Sequence, residues 1–380
     1  MIGEGLSSAC LKAAAAAGAF AGSPAIAETD RGLRFGASYT SDSFTNVHGG
    51  LETGFSHMGL LEVTAEAKGE AFGIDDLHAF ASVQQLHGRS LSGELVGDAQ
   101  VGSNIDAPDG LRLFEAWVSV PVWQDGYVKA GLIDLNSEFD VQDVGALFLN
   151  SSHGIGPDFS QSGLNGPSIF PTTSAAIMAG VTKGRVSFRV GLFDAVSGDP
   201  DRPRRTIVRF PGDTGLLAVT EAEVRLSGSA EIQVGAWGYT SKFETTRDGI
   251  RERGNRGAYV MVQTRLGSVS GQQIDGWVRA GTADTRFNAI GTYVGGGLAA
   301  GPERRRFGLA LAHARLGSRS RDGLLDLAND AETMVELTYA HAIGDRLIVQ
   351  PDVMYVINPG FERRLQNALA AGVRVQLRLF

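Results

Sequence analysis

Residues 369–380, which read Leu-Ala-Ala-Gly-Val-Arg-Val-Gln-Leu-Arg-Leu-Phe, carry the pattern that decides the fold. Every odd position from 369 to 379 is apolar, whereas positions 374, 376 and 378 are Arg, Gln and Arg. Alternate residues of a β-strand point to opposite faces, so this segment has one apolar and one cationic face. A soluble β-sandwich also alternates, but this combination is typical of a strand between lipid and a water-filled lumen. We therefore predict the closing strand of a transmembrane barrel, with the facing of Phe380 left open because strict alternation places it beside Arg374.

The same alternation recurs upstream in segments of about ten residues, the length that a tilted strand needs to cross a bilayer. Between 186 and 192 the even positions are apolar, while Arg185, Ser187 and Arg189 share the other face. Turn-forming clusters such as residues 198–201 separate these segments. The length of segment 28–380 accommodates about 16 such strands. We predict an all-β chain that forms one transmembrane antiparallel β-barrel of about 16 strands.

The N-terminal segment has the features of a secretory signal peptide. Lys12 precedes the apolar residues 13–20, and Ala-Ile-Ala at 25–27 forms an A-x-A cleavage site. The alternative is an Ala-rich helix of the mature fold, which two glycines and a proline in this segment disfavour. We predict a signal peptide at 1–27, and since the single cysteine is Cys10, the mature chain has no disulfide and no thiolate.

Composition and motifs argue against several classes of function. The net charge of −8 disfavours nucleic acid as a partner. The sequence has no H-E-x-x-H, no phosphate-binding G-x-x-x-x-G-K-[ST] and no G-x-S-x-G elbow, and its seven histidines lack metal-ligand spacing. Glu115 and Asp134 are conceivable as a glycosidase pair, but nothing in the sequence sets their separation. We predict a protein that is not an enzyme and that has no cofactor or metal.

One segment breaks the strand rhythm. Residues 137–173 form a long stretch with several glycines and prolines. Long irregular loops are uncommon unless they are functional. In a barrel, such a loop is expected to fold inward and narrow the pore, although the sequence does not establish which loop forms the constriction.

Several blocks in order along the chain resemble the carbohydrate-selective porin family of Gram-negative outer membranes, the OprB family. They are residues 85–89, 97–108, 112–117, 131–134, 137–139, 146–152 and 349–360. The resemblance implies a 16-stranded outer-membrane barrel that passes sugars, with glucose the type substrate, through a channel narrowed by inward-folded loops. It also implies sugars, outer-membrane lipid and the barrel-assembly machinery as partners. Monomer and homotrimer both stay open, as do a general diffusion porin, a porin for another small solute and a soluble secreted β-protein.

Residues 112–119 contain the groups that a sugar channel needs. Alternation turns Glu115 and Trp117 inward, where a carboxylate accepts sugar hydroxyls and an aromatic ring stacks on C–H faces. Arg112 is out of phase with Glu115, so we expect it at the strand end, bent inward. The alternatives are that Trp117 belongs to an interfacial girdle and that Glu115 is a member of a structural ion pair.

Other candidate residues lie at strand ends and along the wall. Arg89 is a candidate donor to sugar or a brace for the inward loop. Asp134 and Glu138 either line the constriction or cap turns, and Asn150 is expected to orient the loop tip. The predicted pore lining, read as a general electrostatic lining without sugar specificity, comprises Arg185, Arg189, Glu336, Asp352 and Arg374.

Overall fold

The computed structural model describes residues 27–28, 32–74, 76–208, 214–226, 229–318 and 328–380. The predicted signal peptide, residues 1–27, lies outside the described residues except for Ala27.

In these ranges, sixteen long strands form one closed antiparallel sheet, and they are numbered in chain order. Their bounds are β1 Leu33–His48, β2 Gly54–Lys68, β3 His78–Gly88, β4 Gly110–Val122, β5 Gly126–Ile133, β6 Ser174–Lys183, β7 Val186–Asp194, β8 Leu216–Arg225, β9 Glu231–Tyr239, β10 Arg256–Val269, β11 Gln272–Ala283, β12 Ile290–Ala300, β13 Arg305–Leu316, β14 Ala331–Ile343, β15 Leu347–Ile357 and β16 Ala368–Arg378. Each strand pairs with the next, and β16 closes the barrel by pairing with β1, with Leu377 opposite Tyr39. The predicted all-β barrel of 16 strands is therefore confirmed.

Short elements complete the described chain. A two-residue strand, Ala27–Glu28, pairs with the start of β1, and Phe243–Glu244 pairs with Arg251–Glu252 in a separate ribbon. The helical turns are Gly69–Phe72, Ser92–Val96, Leu135–Ser137, Gly145–Leu147, Ser151–His153, Pro157–Ser160 and Pro359–Phe361. Within the described residues, the structure has no helix of the length and apolarity required to cross a membrane.

The two faces of the wall differ as alternation predicts. On β7 the exposed residues are Val186, Phe188, Val190 and Leu192, whereas Ser187 and Phe193 are buried on the inner side. On β16, Arg374 and Gln376 point inward, while Val375 and Leu377 point outward. The strand ends at Arg378, so its alternation does not extend to Phe380, whose carbonyl instead accepts the N–H of Ala37 at 3.1 Å.

Most connections at one end of the barrel, here called the turn end, are short turns, and most at the opposite, loop end are longer loops. Two long loops, residues 89–109 and 134–173, fold into the interior and are fastened to β14. The Glu332 carboxylate accepts the N–H groups of Ala99 at 2.8 Å and Gln100 at 3.0 Å. The Glu336 carboxylate accepts those of Leu149 at 2.6 Å and Asn150 at 3.0 Å. Residues four apart in a strand share a face, so one strand holds both loops.

The two loops also bind each other. Asn104 donates its N–H to the carbonyl of Leu149 at 2.7 Å, and Ser151 donates to that of Val101 at 3.0 Å. Gly308 of β13 makes room for this two-loop layer, since a Cβ there would lie 2.7 Å from the Phe148 ring. The predicted inward folding of the long loop is thus observed, and a second loop accompanies it.

The facing of β16 predicts opposite effects at adjacent positions. Val375→Lys puts a charge on the lipid side, which costs up to about 2–4 kcal/mol near the bilayer midplane, whereas Gln376→Lys keeps its charge in the lumen. We expect a lower free energy of unfolding for the first variant only, measured by urea titration of folding in lipid vesicles. Equal losses in both variants would contradict the assigned facing.

Candidate functional site

An aromatic pair occupies the inner face of β3 and β4. Phe80 lies opposite Trp117 across the strand pair, and the rings stack with centroids 5.4 Å apart and an angle of 28° between their planes. The Lys129 ammonium of β5 lies 3.7 Å from the centroid of the Trp117 ring. Gly131, opposite Trp117, has φ +142°, and a Cβ there would lie 2.2 Å from the Ala116 carbonyl oxygen. The glycine therefore permits the close backbone approach beside the Trp117 ring.

Carboxylates surround this aromatic pair. Glu115 accepts hydrogen bonds from the indole N–H of Trp117 and the backbone N–H of Asp134, both at 3.1 Å. Glu138 accepts from the Lys129 ammonium at 2.6 Å and from the Tyr127 hydroxyl at 3.1 Å. Acidic, cationic and aromatic groups therefore converge at the start of loop 134–173. We call Phe80, Glu115, Trp117, Lys129, Asp134 and Glu138 the β4–β5 cluster.

A β-bulge explains the phase of Arg112. Ser82 pairs with Glu115 but Val83 pairs with Leu113, so Phe114 is an extra residue and Arg112 shares the inner face with Glu115. Arg112 is buried and donates to the Pro203 carbonyl at 2.6 Å and the Pro108 carbonyl at 2.7 Å. The structure places it at the strand end, as expected, where it joins two loops and lies apart from the β4–β5 cluster.

Two other predicted arginines lie away from this cluster. Arg89 sits at the loop end with its side chain 40% exposed, and it pairs with Glu94 at 2.9 Å and Glu52 at 3.6 Å. Arg185 is exposed in the turn between β6 and β7, so its predicted place on the inner wall is wrong. Its alternation with Ser187 is real, but β7 begins only at Val186.

Four of the five predicted lining residues face the interior. Three of them lie beneath the two loops, and the fourth lies on another part of the wall. Glu336, Asp352 and Arg374 are buried beneath the two loops. Arg374 forms a bidentate pair with Asp42, both contacts at 2.7 Å, and donates to the Asn104 side-chain oxygen at 2.7 Å. Glu336 and Arg374 therefore fasten loops to the wall, whereas Asp352 is buried on β15 and Arg189 lies on the wall of β7.

Arg189 belongs to a row of inner residues next to the β4–β5 cluster. Its guanidinium, 21% exposed, donates to Glu221 at 2.6 Å and to Glu223 at 2.7 Å. Tyr127 of β5 lies on the same row, across Gly180, where a Cβ would be 2.5 Å from its ring. The row of paired charges thus continues the cluster along the wall.

Asn150 lies at the tip of loop 134–173. Its side-chain oxygen accepts the N–H of Ser152 at 2.8 Å, and its amide nitrogen approaches the Met334 sulfur at 2.7 Å. Glu336 binds its backbone N–H, so Asn150 is part of the loop attachment.

Sequence reasoning missed Phe80, Tyr127 and Lys129. The latter two alternate in β5, and that pattern was available in the sequence. Phe80 enters the cluster only through strand register, which the sequence does not show.

Burial perturbs two carboxyl groups in the inward loops. The pKa of Asp134 is raised to about 8, first because burial penalises its charge and then because Glu115 repels it. The pKa of Asp98 is raised to about 6, with burial again the main cause. Asp134 is therefore largely protonated at neutral pH, which limits the negative charge of the β4–β5 cluster.

The sequence comparison identifies the family. The model of the carbohydrate-selective porin, OprB family, matches residues 52–379. The chain belongs to this family. No curated protein matches the chain in sequence. Membership makes the protein a carbohydrate-selective porin of the Gram-negative outer membrane, a channel and not an enzyme.

Solved structures show the same fold. The high-pH structure of Pseudomonas putida OprB superimposes with a TM-score of 0.80 at 17% identity, over 92% of this chain and 95% of that one. Its low-pH structure superimposes with a TM-score of 0.59 at 16% identity, over 92% of this chain and 93% of that one. A triple mutant of the Rhodopseudomonas blastica porin superimposes with a TM-score of 0.51 at 12% identity, over 91% of this chain and 100% of that one. At these identities the likeness concerns the fold alone.

The raised pKa of Asp134 predicts a pH-dependent charge. Ionisation as pH rises through about 8 adds a negative charge beside Glu115, so cation selectivity should increase between about pH 6.5 and 9. Because the unfolded chain releases this proton near pH 4, the contribution of Asp134 to stability falls as pH rises from about 4 to 8.

Reversal potentials in a salt gradient measure this selectivity. In Asp134→Asn, which mimics the protonated acid, the pH-dependent increase should be lost. An unchanged pH dependence in that variant would assign the titration to another group.

Proposed function

We propose that this porin passes monosaccharides such as glucose by passive, energy-independent diffusion and that the β4–β5 cluster is its weak sugar site. The observation that carries the proposal is the half-buried Phe80–Trp117 pair, set on the inner wall between an ammonium and carboxylates. Sugars present C–H faces to aromatic rings and hydroxyls to charged donors and acceptors.

The cluster is preorganised for such contacts. Phe80 stacks on Trp117 and Lys129 lies over its ring, so the aromatic surface has one orientation. Glu115 is held by two donors, and further carboxylate lone pairs are left for a hydroxyl. A conducting site must bind weakly enough to release its solute, and a few part-exposed contacts suit that requirement.

Paired charges favour a neutral solute. Lys129 is matched by Glu138, and Arg189 by Glu221 and Glu223. Opposite charges in contact leave only a modest net electric field in the lumen, so this field gives ions little advantage over neutral solutes. The two inward loops support a narrow selective channel over a wide general diffusion pore.

The other predicted residues receive different roles in this proposal. Arg112 and Asn150 hold loops, and Arg89 braces the loop end through its pairs with glutamates. Contacts with outer-membrane lipid and the barrel-assembly machinery stay predictions, as does the choice between monomer and homotrimer.

Single-channel current titrated with glucose tests the site. We expect saturable current block in the wild type and weaker block in Trp117→Ala and Glu115→Gln. Loss of about 1 kcal/mol of contact energy raises the half-blocking concentration about fivefold.

Arg185→Ala is the matched control, because it removes a charge from an exposed turn and should leave block unchanged. Equal glucose block in all variants would remove the β4–β5 cluster as the site. Absence of block by glucose and other sugars in the wild type would contradict sugar binding in the pore.

A further inference from the structure

Asp140 and Asp158 bracket the middle of loop 134–173, and both carboxylates meet one arginine of β11. Arg279 donates from Nη2 to Asp140 at 2.8 Å and to Asp158 at 3.4 Å, from Nε to both Asp140 oxygens at 3.1 Å, and from Nη1 to Asp158. The side chains of all three residues are 0% exposed. We call these three residues the charged clip and residues 141–157 the inserted segment.

Two tyrosine rings and one glutamate border the clip. The Arg279 guanidinium lies 5.2 Å from the ring centroid of Tyr259 and 5.4 Å from that of Tyr293. The backbone N–H of Asp140 donates to Glu221 of β8 at 2.8 Å. Buried charges are tolerated only when paired with good geometry, so removing one member leaves an uncompensated charge. The clip therefore strongly favours a single position of the loop.

The clip holds both ends of the inserted segment at one point of the wall. Its tip is held elsewhere, by Glu336 of β14 through the N–H groups of Leu149 and Asn150. Between base and tip, the Trp277 indole donates to the Gln142 side-chain oxygen at 2.9 Å. The path of the segment along β11 to β14 is thus defined by its base, its tip and one contact between them.

We propose that Arg279 is a positioning residue that holds the inserted segment on the wall and so gives the channel a single width. When the inserted segment is fixed at base and tip, the open channel beside it has one cross-sectional area. When its base is free, the segment samples several positions and the channel several areas. The single channel width is inferred from the clip and does not depend on the proposed function. The further statement that this width limits the size of sugar that passes rests on the proposed function.

Conductance in salt without sugar tests the inference independently of sugar binding. In Arg279→Met we expect several conductance levels and a distribution at least about twofold broader than the single wild-type level. The charge-free triple variant Asp140→Asn, Arg279→Met, Asp158→Asn removes the clip without leaving a buried charge unpaired, so it tests the same point if the single variant does not fold.

A milder variant keeps every charge. A Cβ at Gly281 would lie 2.2 Å from the Asp158 carboxylate and 2.4 Å from Arg279 Nη1, so Gly281→Ala should displace the clip and broaden the conductance. Gly276→Ala on the same strand is the control, because its Cβ would meet the flexible Leu266 side chain at 2.9 Å. Arg306→Met with Asp275→Asn is a second control, since that pair joins wall strands without binding the inserted segment.

Labelling gives a second readout of the loop itself. Ser152 is buried in the inserted segment, and the only native cysteine is Cys10 in the predicted signal peptide. Ser152→Cys should resist a water-soluble maleimide in the intact channel and react when Arg279→Met or the triple substitution is added. Folded clip variants with the single wild-type conductance and a protected Ser152→Cys would overturn the inference. Broadened conductance in a channel that no sugar blocks would support the clip and contradict the proposed function.

Discussion

The interior of this barrel depends on wall carboxylates that accept the backbone N–H groups of inward loops. A loop that enters a barrel carries unpaired N–H groups away from water, and each one left unsatisfied is costly. Glu332 and Glu336 each receive two consecutive N–H groups, and Glu221 receives another from Asp140. These bonds convert irregular chain into a layer that the wall holds.

Charge pairing in the lumen performs two different tasks. Beneath the loops, the pairs of Arg374 with Asp42 and of Arg279 with two aspartates are buried and structural. On the wall beside the β4–β5 cluster, Arg189 keeps 21% of its side chain exposed while it pairs with Glu221 and Glu223, and Trp117 stays half-buried. A neutral, hydroxylated solute benefits from the second kind, because paired groups still present donors and acceptors without a large net field.

The alternation of apolar and polar residues was sufficient to predict the barrel, because the lipid-facing side of each strand must be apolar regardless of the loops that the strand joins. It also turned Glu115 and Trp117 inward correctly, and Asp134 and Glu138 join them through the loop that follows β5. The same reasoning assigned Glu336 and Arg374 to an inner face without showing that loops cover them. Lys129 and Phe80 were not predicted, since the pattern within one strand identifies the face on which a residue lies but not which residue of the neighbouring strand lies opposite.

The attachment of both loops to β14 also constrains the order of assembly. The segments around residues 99 and 149 lie in the first half of the chain, whereas their acceptors, Glu332 and Glu336, belong to the fourteenth of sixteen strands. Such contacts close long stretches of chain, so their entropic cost must be met before they stabilise anything. Neither loop can therefore make these bonds until β14, late in the order of strands, has come beside it.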